Sequence, residues 1–298
     1  MSFEAPHGVI APILTPFNDD LSIATDLYVG LAQQLFEQGC AGLAPFGTTG
    51  EALSVGIDER IAAIRALIDG GVDPAKMIPG TGLSNIADTT RLSRACLDLG
   101  CSAVMTLPPF YFKGVSEEGL YRYFAGLIKA IGPDARIFLY HIPPVAVVGI
   151  PPSLAARLHT EFPEQVVGIK DSSGDWDNTR ELFDIGGLIV YPGSELPLID
   201  ALQLGGPGCI SATANINMVE ISKVVGLFDA GDIEAARAQQ DRIRDTRLTI
   251  QEYGPIPAQK RLLAMRTGDA RWANVRPPLG PLSESRGQEL AEALNTGQ

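Results

Sequence analysis

Cysteine and histidine are scarce in this chain and nowhere gathered. The four cysteines (Cys40, Cys96, Cys101 and Cys209) lie far apart or in helix-like stretches, so buried free thiols in a reducing compartment are expected rather than a disulfide framework. The three histidines (His7, His141 and His159) show no HExxH and no Cys/His ligand spacing, which argues against a metal site. No run approaches 18 uninterrupted apolar residues, the length that begins to suggest a membrane span. The opening MSFEAPHGVIAPILTPF has no basic-then-apolar leader, and Pro12 and Pro16 interrupt any helical one. Basic residues are outnumbered 23 to 35, leaving a net charge of −12, so a nucleic-acid face is not expected. A cytoplasmic, metal-free protein is expected, with neither membrane nor nucleic acid as partner. The negative balance does not exclude a small anionic substrate, which local groups can hold.

What is present is a regular alternation. A chain of 298 residues accommodates one α/β barrel or two smaller domains. Eight apolar runs read as strands: GVIAPIL (8–14), AGLAPF (41–46), MIPGTG (77–82), AVMTLPP (103–109), IFLYHIP (137–143), VVGIK (166–170), LIVYPG (188–193) and GCISATA (208–214). Between them lie helical faces such as Leu27, Leu31, Leu35 and Phe36, or Ile61, Ile64, Leu67 and Ile68. Eight strands spaced roughly 25 to 35 residues apart predict a (β/α)8 TIM barrel. A doubly wound sheet normally carries a glycine-rich nucleotide loop after its first strand, whereas this one ends in LTPF. Beyond about residue 217 the pattern is helical only, broken at Asp229-Ala230-Gly231 and at VRPPLGP. The expected organisation is a barrel over 1–225 and a C-terminal helical subdomain over 226–298.

In such barrels the active site lies at the C-terminal ends of the strands, so the strand assignment itself selects candidates. The second run ends in FGTTGE (46–51), the fourth in PPFYFKG (108–114), the fifth in LYHIPP (139–144) and the sixth in Lys170. Lys76, Lys113, Lys129, Lys223 and Lys260 fall in loops or on helical patterns; Lys170 alone ends a central strand. Two readings of it stand side by side. Its stem packs along the rim while the ammonium reaches water, or an apolar site favours the neutral amine, which attacks a ketone and forms a Schiff base. The turn Gly47-Thr48-Thr49-Gly50 is likewise either a cradle for a carboxylate or phosphate or an ordinary βα loop capping a helix. Tyr140 is a catalytic candidate or a strand-end core aromatic, and Tyr111 a loop aromatic suited to packing or an interface. His141 and Asp171 directly follow Tyr140 and Lys170, so strand alternation points them the other way.

Taken in order, GTTGE, PPFYFKG with EEGLYRYF, YHIP, GIKDSSGD and GCISATAN resemble the dihydrodipicolinate synthase/N-acetylneuraminate lyase family over nearly the whole chain, from Gly8 to VRPPLGPLS. The resemblance implies a class I, Schiff-base aldolase barrel acting on pyruvate or a related 2-oxo acid, with no metal or organic cofactor. By position it makes Lys170 the imine-forming lysine and Tyr140 the proton-transfer residue. Thr48 and Thr49, with Gly47, become the carboxylate turn, and Thr48 a proton relay to Tyr140. Tyr111 matches the tyrosine that reaches a neighbouring subunit's site, implying a homodimer or homotetramer. Ile210 matches the position whose carbonyl faces pyruvate. Ser172, Gly193 and Glu195 join the substrate-binding set. The synthases place an arginine five residues after the tyrosine to grip the aldehyde's carboxylate; here that position is Val145. The lyases carry a serine where this chain has Ala212. The leading expectation is therefore a lysine Schiff-base lyase, aldolase or dehydratase, with its aldehyde partner unassigned. The alternatives are 4-hydroxy-tetrahydrodipicolinate synthase, joining pyruvate to aspartate semialdehyde, and a catalytically silent binding protein.

Overall fold

The apolar runs in the middle of the chain become strands because neither face of them meets water. The structure, a computed structural model, describes residues 3–296. Its strands are β1 (Gly8–Ala11), β2 (Gly42–Leu43), β3 (Val104–Thr106), β4 (Ile137–His141), β5 (Val166–Asp171), β6 (Ile189–Pro192) and β7 (Gly208–Ile210). The first helices are α1 (Thr25–Glu37), α2 (Ile57–Asp69), α3 (Ile86–Asp98), α4 (Glu117–Ile131), α5 (Pro143–Ala146) and α6 (Pro152–Glu161). They continue as α7 (Trp176–Phe183), α8 (Leu198–Gln203), α9 (Ala214–Asp229), α10 (Ile233–Glu252), α11 (Pro255–Thr267) and α12 (Glu284–Thr296). Polar side chains start several of them: Asn85 Oδ1 accepts from the Asp88 N–H at 2.8 Å before α3, and Ser116 Oγ from the Gly119 N–H at 3.1 Å before α4.

Seven of the eight expected runs are strands among the described residues. The third, MIPGTG, is reduced to one parallel bridge between Gly80 and Met105. Met105 donates to the Pro79 carbonyl at 2.8 Å and Thr81 donates back to Met105 at 2.9 Å. Pro79 has no N–H to extend the ladder. The first run stops at Ala11, just before Pro12, for the same reason.

The chain forms two compact units. One comprises Asp73–Ile210 with the N-terminal segment up to Gly8; the other comprises Val9–Val72 with the stretch from Ser211 onward. In the first, β3, β4, β5 and β6 make one parallel sheet in chain order. Every residue of β4 and β5 is buried. Gly168 is required in β5: a Cβ there would strike the Phe138 ring and lie 2.6 Å from the Ile189 carbonyl oxygen. In the second, β1 and β2 pair in parallel through Ile10↔Gly42 and Ala11↔Leu43. There α10, α11 and α12 enclose Ile250, Ala258, Leu262 and Leu290, with Ile216 and Tyr253 packed on the cluster. All four cysteines are free and buried, and burial pushes the Cys101 thiol up to about 12.

Candidate active site

Strand β5 delivers Lys170 to the sheet with only 4% of its surface exposed. A lysine held there needs either a partner or a task. Among the described residues it makes no ion pair. Its Nζ donates to the Tyr140 hydroxyl at 3.4 Å and sits 4.5 Å from the centre of that ring. The pairing follows from register: Tyr140 on β4 stands opposite Lys170 on β5, and His141 opposite Asp171.

Alternation sends Asp171 to the other face, where its charge is spent. Oδ2 accepts from Thr179 Oγ1 at 2.7 Å and Asn178 Nδ2 at 2.9 Å, and Oδ1 accepts from the Ser173 N–H at 2.8 Å. The one carboxylate adjacent to Lys170 in sequence is thereby committed elsewhere. His141 shares that face. Its Nδ1 accepts from the Ile150 N–H at 2.7 Å, which fixes the neutral tautomer with the proton on Nε2. Burial lowers its pKa, and the Asp171 charge offsets this only in part. Below about 6.5, the ordinary imidazole value, the unfolded chain takes up a proton that folded His141 resists. Stability is therefore lost as pH falls from that value. His141→Asn, which keeps an acceptor for Ile150, is expected to remove this part of the acid slope. Melting curves between about pH 7.5 and pH 5 check it; an unchanged slope refutes it.

Ser172, two residues past Lys170, continues the ladder by donating its N–H to the His141 carbonyl at 2.7 Å. Among the described residues its hydroxyl oxygen is buried with no hydrogen-bond partner. Gly193 makes room for it, since a Cβ at 193 would overlap that hydroxyl and lie 2.7 Å from Ser172 Cβ. Glu195 is wholly buried, and its carbonyl accepts from the Leu198 N–H at 3.2 Å. Ile210 ends β7 and is fully buried. Tyr111 is 79% exposed and meets Phe112 edge to face at 5.8 Å, while Val145 and Val147 are also exposed.

The remaining candidates, Gly47, Thr48 and Thr49, belong to the other unit. Thr49 is buried and Thr48 half-buried. The Thr48 carbonyl accepts from the Glu51 N–H at 3.1 Å, and Thr15 Oγ1 donates to the Gly50 carbonyl at 2.8 Å. Phe46 and Glu51 flank the turn with positive φ values of 56° and 54°. Sequence reading missed what holds Glu51, a fully buried ion pair with Lys260. Lys260 lies on a helical pattern, as Lys129 and Lys223 do, and no local spacing marks it as buried. Among the described residues no group of three or more His, Cys, Asp or Glu side chains is placed to hold a metal ion, and no helix is long and apolar enough to cross a membrane.

The parallel strands alternating with helices are those of a (β/α)8 protein, here with a C-terminal helical extension. The sequence model of the dihydrodipicolinate synthetase family matches residues 5–296, and the chain belongs to that family. It is 35% identical to an uncharacterized DapA-like lyase of Chloroflexus aurantiacus, over 97% of this chain and 96% of that one. The dihydrodipicolinate synthase structure from Agrobacterium tumefaciens superposes with a TM-score of 0.89 at 34% identity, covering 97% of this chain and 99% of that one. YagE, a prophage protein of the dihydrodipicolinic acid synthase family from E. coli solved with pyruvate, gives 0.89 at 26% identity, covering 98% of each. The chain is thus a Schiff-base lyase of pyruvate or a related 2-oxo acid, its aldehyde partner unassigned.

Proposed function

We propose that Lys170 is the amine that forms the imine and that Tyr140 moves the protons. The observation that carries this reading is the buried Nζ, which makes no ion pair among the described residues and donates to the Tyr140 hydroxyl at 3.4 Å. Neutral Lys170 adds to the keto carbon, and the carbinolamine loses water as Tyr140 supplies and recovers a proton. The protonated imine is itself the electron sink, so the chemistry calls for no metal or organic cofactor. Loss of a proton from the adjacent carbon gives an enamine, which attacks an aldehyde carbon. Water then releases the product and the free amine. Run backwards, the same steps cleave a carbon–carbon bond.

Thr48 and Thr49, with Gly47, hold the carboxylate of the 2-oxo acid. The Ile210 carbonyl faces the bound acid. Ser172, with the space that Gly193 leaves, binds a polar group of the second substrate, and Glu195 borders the same region. Exposed Tyr111 reaches a neighbouring subunit's site in a cytoplasmic homodimer or homotetramer. Borohydride reduction in the presence of pyruvate tests the core of the reading: one adduct is expected, on the Lys170 peptide.

Val145 favours an aldehyde partner without a carboxylate at that position, an aldolase or dehydratase substrate rather than aspartate semialdehyde. Its exposed, apolar side chain makes no charge-assisted pair. Val145→Arg is expected to raise condensation of pyruvate with aspartate semialdehyde by roughly tenfold, the worth of one such pair. Turnover that stays where it was in a coupled assay would sink this account of the pocket, and turnover already high in the unmodified protein would restore the synthase reading.

A further inference from the structure

The turn that carries Thr48 and Thr49 ends in a strained residue. Glu51 is not glycine, yet its φ is 54°, a left-handed conformation that L-residues other than glycine rarely adopt. Such strain persists only where the surroundings over-determine it. Here they do so through charge. Glu51 Oε1 accepts from Lys260 Nζ, and both side chains are completely enclosed. Glu51 Oε2 accepts from the Arg276 backbone N–H at 2.9 Å. Lys260 also donates to the Asn274 carbonyl at 2.7 Å and lies 4.3 Å from the centre of the Phe17 ring.

The segment just beyond Glu51 is tied down in the same manner. Arg276 Nη1 donates to the Ser54 carbonyl at 2.8 Å, and Arg60 Nε to the Val55 carbonyl at 3.0 Å. Arg60 also donates to the Ala52 carbonyl. On the other side of the turn Thr15 holds the Gly50 carbonyl, and a Cβ on Gly50 would sit 2.9 Å from the Ile13 carbonyl oxygen. The backbone after Thr49 therefore has very little freedom, and three cations account for most of the restraint.

Stability alone does not explain a wholly buried ion pair. Desolvation roughly cancels the attraction, and a well-packed apolar replacement is often neutral or better. What the pair supplies is one definite geometry for a backbone that would otherwise relax. We propose that Lys260, carried by α11, is a positioning residue: through Glu51 it sets the Thr48–Thr49 turn so that the threonine hydroxyls grip a 2-oxo acid carboxylate. This rests on the reading of Thr48 and Thr49 given above. The C-terminal helices thereby act on substrate binding without touching substrate.

The proposal separates carboxylate binding from lysine chemistry, and the test uses that separation. In the double variant Glu51→Gln, Lys260→Met no buried charge is left alone, and the glutamine still accepts from Arg276. Borohydride trapping is measured against concentration for pyruvate and for hydroxyacetone, a ketone without a carboxylate. The half-saturating pyruvate concentration is expected to rise roughly ten- to a hundredfold, as for a small misplacement of a binding group. Trapping of hydroxyacetone on Lys170 is expected to stay within about twofold, since that step needs no carboxylate grip. A merely structural role would move both ketones together or neither, and either pattern overturns the proposal.

Thr49→Ala is measured alongside. If it leaves the pyruvate curve unchanged, the turn is not the carboxylate grip and the earlier reading falls together with this one. If it shifts the curve and the double variant does not, only the role of Lys260 falls. Lys260→Arg covers the case of a misfolded double variant. Burial pushes the Lys260 amine down to about 8, whereas an arginine stays charged. The charged groups facing that amine are Glu51 and Arg276, with Glu59 paired to Arg276 beyond them. Half-saturation by pyruvate is then expected to worsen above about pH 8 in the unmodified protein and to do so less in Lys260→Arg. Parallel curves overturn the proposal.

Discussion

Lys170→Ala is expected to yield a folded protein that pyruvate and borohydride no longer label and that turns over no substrate. Loss of activity follows from chemistry: without the amine there is no imine, and without the imine the electrons of the breaking or forming carbon–carbon bond have no sink. Retention of the fold follows from packing. Lys170 makes no ion pair among the described residues, and its one hydrogen bond goes to Tyr140, so removing it strands no buried countercharge. Breaking a paired buried charge typically costs about 3–5 kcal/mol, a penalty absent here. The melting temperature is accordingly expected to hold or rise, as when a strained functional group is removed. Intact-mass spectrometry after reduction and a turnover assay decide the matter together. Residual turnover well above background, in a preparation free of unmodified enzyme, would end the imine mechanism at this residue.

Tyr140→Phe is expected to have the second largest effect and a different signature. The ring stays, with its contacts in a strand that is buried throughout, and only the oxygen 3.4 Å from Lys170 Nζ is lost. Imine formation and the later proton transfers are expected to slow by roughly 10² to 10⁴, the usual cost of a missing acid or base. That corresponds to about 3 to 5.5 kcal/mol of barrier. The adduct still forms, on Lys170, but over a longer time. Single-turnover trapping separates this from a binding defect: the rate is expected to fall while the pyruvate half-saturation moves little. A large shift in half-saturation with an unchanged rate would reassign Tyr140 to binding.

The lysine and tyrosine were legible because two short-range rules act on them at once. An unbroken apolar run marks a strand buried on both faces, and the period of two assigns each side chain to one face. VVGIKD and IFLYH obey both, so Lys170 and Tyr140 emerge together while Asp171 and His141 turn away. MIPGTG obeyed the first rule and failed as a strand, because Pro79 removes a donor that hydropathy does not register. The close approach of Ser172 to Gly193, where a Cβ would overlap the serine hydroxyl, is visible only in the structure.

The chain's own order of residues determined which groups stand at strand ends and which way they face, because backbone geometry ties each residue to its neighbours over a few positions. It equally determined family membership, since five short motifs occur in series over almost the whole length. Only the tertiary structure decided that Glu51 meets Lys260, 209 positions away. No periodicity records such a partnership: which enclosed charge neutralises which depends on how distant helices fold back, and the energy that joins them exists only after water has been excluded from both.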